Sequence, residues 1–433
     1  MPVTPSPSSA VSPVPGPPGD SATAFFLELA RAMHEFGTPA HQLETALATV
    51  ARRLGLTAEI FSTPTSLMIG LGPLESQRVH LLRVEPASPN LGNLARLNAV
   101  VHAVRSGRIS PAAGLTRLQD LRAHPPHWPT ALVLAAYALS SAAVATFLHV
   151  DARSVAIAAL LGLLTGTIAL GAGRTAGWRA VTEPLAGFVI STLAFAIDAF
   201  TGANAGYLTS LAGLVILLPG LTFTVALTEL STRNLTSGTS RLTGTLVVFL
   251  GLGFGLALGA KLGAVLGSAA AAVVPAWVHT GIPPAPLPTW TEWCGLLIAP
   301  LSFAILLNAH RRDILRILLA SIIAYLTSRI AGARMGDELG AFLGAFVVSA
   351  GSNLAARRSQ RSAMVTQVPG LLILVPGSIG FRSVTSLLGA QVEAGVATAF
   401  HVAILGISLA AGVLAGNLLV AADPPSGEDA DIV

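Results

Sequence analysis

The chain of 433 residues is 52% hydrophobic and only 11% charged, and with a mean hydropathy of +0.70 it falls outside the class of soluble globular proteins. Its formal net charge of +4 comes from arginine, because Lys261 is the only lysine. This balance suits loops that face an anionic lipid bilayer and does not call for nucleic acid as a partner. Cys294 is the only cysteine, which excludes an intrachain disulfide and a cysteine-based metal cluster.

Two regions precede the first long apolar stretch. Residues 1–20 contain seven prolines and four serines and predict a disordered tail. Residues 21–128 mix amphipathic and β-branched segments, which predicts a small cytoplasmic α/β domain. We expect helices at Phe25–Phe36, Gln42–Leu54, Asn90–Arg105 and Ser110–Leu121, and two or three short strands within Thr57–Leu71 and Arg78–Val84.

Four polar residues in this domain raise the question of a metal or hydrolase site: His34, Glu35, His41 and Glu44. A glycine and a proline separate the two histidines, so they need not share a helix face. We interpret them as solvated helix ends. The sequence has no nucleophile elbow, phosphate loop or zinc signature, and we predict no catalytic residues, no metal and no cofactor.

Ten apolar stretches follow, each of roughly 17 to 25 residues, the length that a bilayer requires. Their predicted bounds are 130–149, 154–172, 183–201, 207–228, 242–268, 292–309, 314–331, 338–356, 367–389 and 395–420. The fold class is thus a polytopic α-helical membrane protein. We expect a first five-helix repeat in 129–274, a proline-rich extracytoplasmic linker in 275–291, a second five-helix repeat in 292–422 and an acidic cytoplasmic tail in 423–433.

The arginines of the loops orient these spans. If the folded domain is cytoplasmic, the loops on its side carry Arg174, Arg179, Arg233, Arg241, Arg311, Arg312, Arg316, Arg357, Arg358 and Arg361. The opposite loops carry Arg153, Arg334 and, depending on the boundary, Arg329. The positive-inside rule therefore places both termini in the cytoplasm, in a multi-pass protein of the plasma membrane.

An octapeptide occurs once in each half of the apolar region, as Gly213-Leu-Val-Ile-Leu-Leu-Pro-Gly220 and as Gly370-Leu-Leu-Ile-Leu-Val-Pro-Gly377. The Pro219-Gly220 and Pro376-Gly377 steps each remove a backbone donor and loosen a helix within the membrane. Because five spans precede the linker and five follow it, the two segments run in opposite directions. This pattern predicts an inverted repeat with a substrate site at the breaks; the alternative is a pair of kinks that serve only packing.

Charged residues near the breaks complete the predicted site. Arg382 falls within the ninth span, where inserting an arginine costs roughly 2.5 to 3.5 kcal/mol. It should face a polar interior and pair with a substrate carboxylate or with Asp198, unless it snorkels to the outer surface. Glu229, followed by a polar run that ends at Arg241, predicts a cytoplasmic gate or a proton-coupling site, since the pKa of an acid in a partly dry vestibule can rise. An ordinary polar loop is the alternative.

Span five carries a ridge of glycines at four-residue spacing: Gly251, Gly255, Gly259, Gly263 and Gly267. Such a ridge predicts close backbone packing against another helix. Lys261 lies about 160° around the helix from Gly259. We expect it to snorkel to the outer interface rather than to face the pathway.

Several motifs occur in order along residues 25–420. The soluble domain has His41-Gln-Leu-Glu44, Ala51-Arg-Arg-Leu-Gly55, Thr63-Pro-Thr65, Asn93-Leu-Ala-Arg-Leu-Asn98 and Gly107-Arg-Ile-Ser-Pro111. The membrane part has Leu218-Pro-Gly220, the stretch from Glu229 to Arg241 with Ser237-Gly238, and Val375-Pro-Gly377 followed by Phe381-Arg382. Because it has these motifs in this order, the chain resembles the threonine/serine exporter family of bacterial and fungal membrane proteins.

The resemblance implies ten spans, a cytoplasmic amino-terminal domain and proton-driven export of a small amino acid. The chain departs from the family where Thr224-Val-Ala226 and Thr228-Glu229 stand in place of frequent Asn and Asp. Related proteins split into two subunits are similar to dicarboxylate exporters, so a dicarboxylate exporter is the alternative. A membrane-anchored enzyme or sensor that acts through residues 21–128 is the alternative of another class, and the sequence leaves homo-oligomerisation open.

Overall fold

The structure is a computed structural model. It describes residues 18–85, 89–123, 128–172, 176–201, 205–273, 287–359, 361–375, 377–388 and 391–420. The predictions for residues 1–17 and 421–433, for most of the linker, and for Arg174 and Pro376 therefore lie outside the described residues.

The predicted soluble domain, as far as the structure describes it, has a three-stranded sheet and four helices. Its elements are α1 (Pro18–Glu35), α2 (Ala40–Arg53), β1 (Ala58–Thr63), β2 (Ser66–Leu71), β3 (Arg78–Arg83), α3 (Leu91–Arg105) and α4 (Pro111–Ala123). The strands are antiparallel in the order β1-β2-β3, so the predicted helices and strands are confirmed. The first helix begins at Pro18, ahead of its predicted start, because the fixed φ angle of proline suits the first position of a helix. Residues 18–20 are therefore not part of a disordered tail.

One face of the sheet and the helices enclose the core of this domain. Leu67 and Ile69 of β2 alternate inward and are fully buried, as are Phe25 and Phe26 of α1. Gly37 has a φ of 84°, a left-handed conformation that glycine adopts without steric cost. It turns the chain sharply between α1 and α2.

Twelve helices of the membrane part lie in the described ranges. They are α5 (Thr130–Phe147), α6 (Ala152–Ala172), α7 (Ala176–Thr201), α8 (Gly206–Gly213), α9 (Gly220–Ser231), α10 (Leu235–Val273), α11 (Thr291–Leu306), α12 (Ile314–Met335), α13 (Asp337–Ser359), α14 (Met364–Leu374), α15 (Gly377–Leu388) and α16 (Val392–Leu419). Within the described residues, seven helices are long and apolar enough to cross a membrane, or up to nine if each of two bent pairs is one span. α11 is apolar but has only 16 residues. The polytopic helical fold is confirmed, while ten spans in a five-plus-five inverted repeat stay a prediction.

α10 packs along α7 through the predicted glycine ridge. A methyl group on Gly255 would overlap the carbonyl oxygen of Pro184, and one on Gly259 would overlap that of Phe188. The ridge therefore does bring two helix backbones together. α10 has 39 residues, about 58 Å at 1.5 Å per residue, so it is longer than a bilayer is thick. The side chain of Lys261 is exposed.

The soluble domain is docked on one end of the helix bundle. Its hydrophobic core continues into the membrane part through buried residues of α14, including Met364 and Val365. Two backbone hydrogen bonds join the start of α3 to the end of α11: Leu91 N–H to Leu307 O at 2.9 Å and Gly92 N–H to Asn308 O at 3.0 Å. We call this end of the bundle the domain side and the opposite end the far side.

Candidate functional site

Both repeated segments are broken where their Pro-Gly steps were expected to loosen the helix. After α8 and a short 3₁₀ turn, Leu218 is extended and Pro219 has φ −81° and ψ 43°. Regular α-helix begins again at Gly220, and the two halves are bent by 55°. In the second segment α14 ends at Leu374, Val375 is extended, and α15 begins at Gly377 after a bend of 42°.

The two breaks contact each other. A methyl group on Gly220 would lie 3.1 Å from Gly377 Cα and would overlap Val375 Cγ1. Since α9 begins at Gly220 and α15 at Gly377, two helix amino termini meet at this point. Among the residues that the structure describes, no side chain caps α9, whose N-cap residue is Pro219. Uncapped N–H groups and the positive ends of two helix dipoles are a favourable setting for an anion.

A cavity lies between the breaks and the soluble domain. The domain-side halves of the broken helices, α9 and α14, form the walls that belong to the membrane part. The start of α2 forms the wall that belongs to the soluble domain. The polar lining residues include His41, Thr224, Thr228 and Gln367. The cavity has a volume of about 50 Å³, and none of its described lining residues carries a charge at neutral pH.

Glu229 fastens the soluble domain to α9. Its side chain is fully buried and accepts hydrogen bonds from the Ala40 backbone N–H at 2.9 Å and from Ser237 Oγ at 2.8 Å. Arg241 Nε of α10 lies 3.0 Å from Glu229 Oε2. A buried carboxylate needs such a set of donors, since an unpaired buried charge is strongly disfavoured. The structure thus places Glu229 and Arg241 together, at the boundary between the soluble domain and the membrane part.

A second polar contact reinforces this boundary. Glu44 of α2 accepts the Ser62 backbone N–H at 2.8 Å and Asn234 Nδ2 at 2.9 Å. Asn234 lies between α9 and α10, in the polar run that follows Glu229. The run is therefore a docking surface for the soluble domain. The alternative interpretation, an ordinary polar loop, does not account for these contacts.

Interpreting the histidines of the soluble domain as solvated helix ends is wrong. His34 is 4% exposed, and its Nε2 lies 2.8 Å from Thr63 O. Both ring nitrogens of His41 are buried without a hydrogen-bond partner among the described residues. The sharp turn at Gly37 directs this corner of the domain against the bundle, so both rings lose water. Within the described residues, no group of three or more His, Cys, Asp or Glu side chains is arranged to hold a metal ion.

The remaining predicted residues lie on the far side of the breaks. Arg382 is exposed on α15, near Tyr207, and among the described residues it forms no ion pair. Asp198 accepts the Ala205 backbone N–H at 2.7 Å, at the residue that directly precedes α8. Tyr207 joins α8 to α15 through a 3.0 Å hydrogen bond to Thr385 Oγ1.

Sequence reasoning missed a polar cluster on the far side. Glu292, 6% exposed, pairs with Arg329 and lies 2.6 Å from His149 Nε2. The residues come from the start of α11, from α12 and from the loop after α5. A carboxylate in the first turn of an apolar helix was the available signal, because such a group needs a partner.

Two family models match most of the chain. One, described as "Putative threonine/serine exporter", matches residues 24–263, and the other, "Threonine/Serine exporter, ThrE", matches residues 293–419. No solved structure matches the chain.

Curated relatives come from fungi. Pheromone-regulated membrane protein 10 of Candida albicans (strain WO-1) is 27% identical over 83% of this chain and 33% of its own length, and the protein of that name from Saccharomyces cerevisiae (strain YJM789) is 24% identical over 84% and 47%. Uncharacterized protein C7D4.12c of Schizosaccharomyces pombe is 22% identical over 82% and 47%. The chain thus spans a third to a half of the length of these relatives. On the family models, which together cover the soluble domain and both halves of the membrane part, the chain belongs to the threonine/serine exporter family.

Proposed function

We propose that this protein exports threonine, serine or a similar small amino acid across the plasma membrane by alternating access about the two breaks. The observation that carries the proposal is the contact between Gly220 and Gly377. Two broken helices that meet within a membrane provide backbone groups for a polar substrate. The family to which the chain belongs is one of membrane exporters.

In this proposal the junction of the breaks holds the substrate carboxylate. The amino termini of α9 and α15 supply N–H groups and positive dipole ends there. Pro219, Gly220 and Gly377 shape the backbone of the site. Arg382 and Asp198, on the far side, attract and orient the substrate as it leaves rather than hold it at the centre.

Glu229 and Arg241 form the domain-side gate and the site of proton coupling. Protonation of Glu229 would remove the negative charge that pairs with Arg241 and would weaken its bond to Ala40. The soluble domain would then loosen from α9. Glu292 and Arg329 form the corresponding closure on the far side, so that two acid–arginine pairs lie at opposite ends of the pathway.

The proposed topology follows the distribution of charge. The soluble domain of residues 21–128 and both termini are cytoplasmic, because the arginines cluster on the domain side. The linker of residues 275–291 is extracytoplasmic and joins the two five-helix repeats. Export then runs from the domain side to the far side, with the proton entering in the opposite direction as in an antiporter.

Efflux from cells without their own exporters tests this function. The cells are loaded with a threonine-containing dipeptide and express either the wild-type chain or the Pro219→Leu, Pro376→Leu double variant. We expect faster threonine release from the wild type and loss of that gain in the variant at equal membrane abundance. Release of succinate but not of threonine or serine would replace the proposal with a dicarboxylate exporter. Release of neither would favour an enzyme or sensor.

A further inference from the structure

The cavity on the domain side is built by both parts of the protein. His41 and Gln42 line it from the soluble domain, and Thr224 and Thr228 line it from α9. Leu221, which directly follows the first break, also belongs to its lining. The cavity therefore lies between the soluble domain and the residue that follows the first break.

His41 is the unexplained polar group in this cavity. Nδ1 and Nε2 are both buried, and neither has a hydrogen-bond partner among the described residues, whereas the great majority of buried polar atoms are hydrogen-bonded. Burial, with a smaller contribution from the positive charge of Arg241, lowers the pKa of His41 to about 4. The ring is thus neutral near pH 7, with one donor and one acceptor that both lack a partner among the described residues.

The other lining groups restrict the chemistry of the occupant. Thr228 Oγ1 donates to Thr224 O at 2.9 Å, so the lone pairs of its hydroxyl can accept from an ammonium group. The described lining carries no charged side chain, and the nearby Glu229 and Arg241 neutralise each other. Burying a net charge here would be costly, which disfavours a dianion. Apolar residues such as Val225 and Leu371 complete the walls and suit a short aliphatic side chain.

We propose that this cavity is the domain-side binding site for a small amino acid without net charge, and that His41 hydrogen-bonds the ligand there. The proposal rests on the export function proposed above and extends it. The soluble domain thereby becomes part of the substrate site, and the ligand contacts it before reaching the breaks.

Equilibrium binding to the full chain in lipid nanodiscs tests the proposal, with radiolabelled threonine and, separately, radiolabelled succinate as probes. We compare the wild type with His41→Ala, with His41→Gln, which keeps a donor and an acceptor, and with His80→Ala on β3 as the matched control. His80 does not line the cavity. We expect wild type and His80→Ala to bind threonine alike, His41→Ala to bind it about tenfold more weakly, as loss of a buried hydrogen-bonding group predicts, and His41→Gln to recover most of the loss.

A second readout locates the ligand. Diethyl pyrocarbonate modifies neutral imidazoles, and mass spectrometry shows which histidine reacts. Threonine should protect His41 and leave His80 unchanged, and Val225→Phe, which fills the cavity from α9 without altering His41, should abolish threonine binding.

The outcomes separate this proposal from the export function. If wild-type cells export threonine while His41→Ala binds it normally and threonine does not protect His41, the export function stands and the cavity proposal is wrong. Tight succinate binding that depends on His41 would overturn the proposal that the cavity binds ligands without net charge. Absence of both threonine binding and threonine export would overturn the two proposals together.

Discussion

The backbone N–H of Ala40 donates a hydrogen bond of 2.9 Å to the Glu229 carboxylate, which lies 189 residues further along the chain. Ala40 begins α2, whose N-cap residue Pro39 provides no capping side chain and whose first turn has no acid. Glu229 supplies both the missing cap oxygen and a negative charge at the helix amino terminus. The next residue along α2 is His41, so the bond that docks the domain also places that ring in the cavity.

Glu229→Gln should loosen the soluble domain. The amide still offers an oxygen to Ala40 but loses the ion pair with Arg241, whose side chain is only 18% exposed. Leaving a largely buried guanidinium without its partner should cost about 3 kcal/mol of docking free energy. We expect faster hydrogen exchange in the first turn of α2, measured by mass spectrometry. The exposed Glu393→Gln is the control and should leave exchange unchanged; equal protection in both variants would mean that Glu229 does not hold the domain.

Acidification should have the same effect through His41. Burial lowers the pKa of His41 from its ordinary 6.5 to about 4, so the undocked ring takes up a proton more readily than the docked one. The docked state therefore has its full stability above pH 6.5 and loses stability as the pH falls from 6.5 towards about 4. At about pH 5 the loss should be on the order of 2 kcal/mol.

Thermal unfolding and exchange of α2 between about pH 7 and pH 5 measure this loss. The His41→Gln variant should show a shallower pH dependence than the wild type. A residual slope is expected, because burial also lowers the pKa of His34. An identical slope in the two proteins would contradict the assignment to His41.

Local chemistry explains why much of the membrane part could be predicted from the sequence. A proline followed by a glycine removes a helix donor wherever it occurs, so Pro219-Gly220 indicated a break without any tertiary information. The glycine ridge of α10 was equally visible, because a four-residue period places small residues on one helix face. In the soluble domain, β-branched stretches indicated two or three strands, and the structure has three.

Contacts distant in sequence explain what could not be predicted. The burial of His41 depends on how the turn at Gly37 meets α9 and α14, and no local pattern encodes that meeting. The contact between Gly220 and Gly377 likewise requires the two halves of the bundle to be assembled. Glu229 was recognisable as a candidate gate or proton-coupling acid in a polar run that ends at Arg241, but its third partner is a backbone N–H, which carries no residue-specific signal.

Gly259→Ala should destabilise the packing of α10 on α7. The added methyl group would overlap the carbonyl oxygen of Phe188 and lie 2.9 Å from Thr192 N, so the helix backbones must move apart at a cost of roughly 1 to 3 kcal/mol. Gly244→Ala in the same helix is the matched control, because no described residue lies within 4 Å of its added methyl group and alanine is the better helix former. We expect a lower melting temperature in detergent for Gly259→Ala and an unchanged or higher one for Gly244→Ala. Similar values for both would show that the ridge does not determine stability.

Gly220→Ala should impair transport more than folding, and Val375→Ala should partly restore it. The methyl group on Gly220 would overlap Val375 Cγ1, whereas its distances to Gly377 Cα and N are 3.1 and 3.2 Å, contacts that a shift of a few tenths of an ångström relieves. The added methyl should push the breaks apart and slow efflux about tenfold, the effect of some 1.4 kcal/mol on a barrier. Removing the valine methyls in the same chain eliminates the worst overlap and should recover much of the rate.

Gly351→Ala on α13 controls for the general effect of a glycine substitution in the bundle, because no atom in the described part of the chain lies within 4 Å of the added methyl group. This variant should transport like the wild type. Rescue of Gly220→Ala by Val375→Ala has a specific physical meaning, because the two residues are 155 positions apart and belong to different repeated segments. Only direct contact between the breaks makes the loss of one side chain compensate for the gain of another. If the double variant is no faster than Gly220→Ala at equal membrane abundance, the breaks do not meet in the transporting protein, and the substrate site must be sought elsewhere along α9.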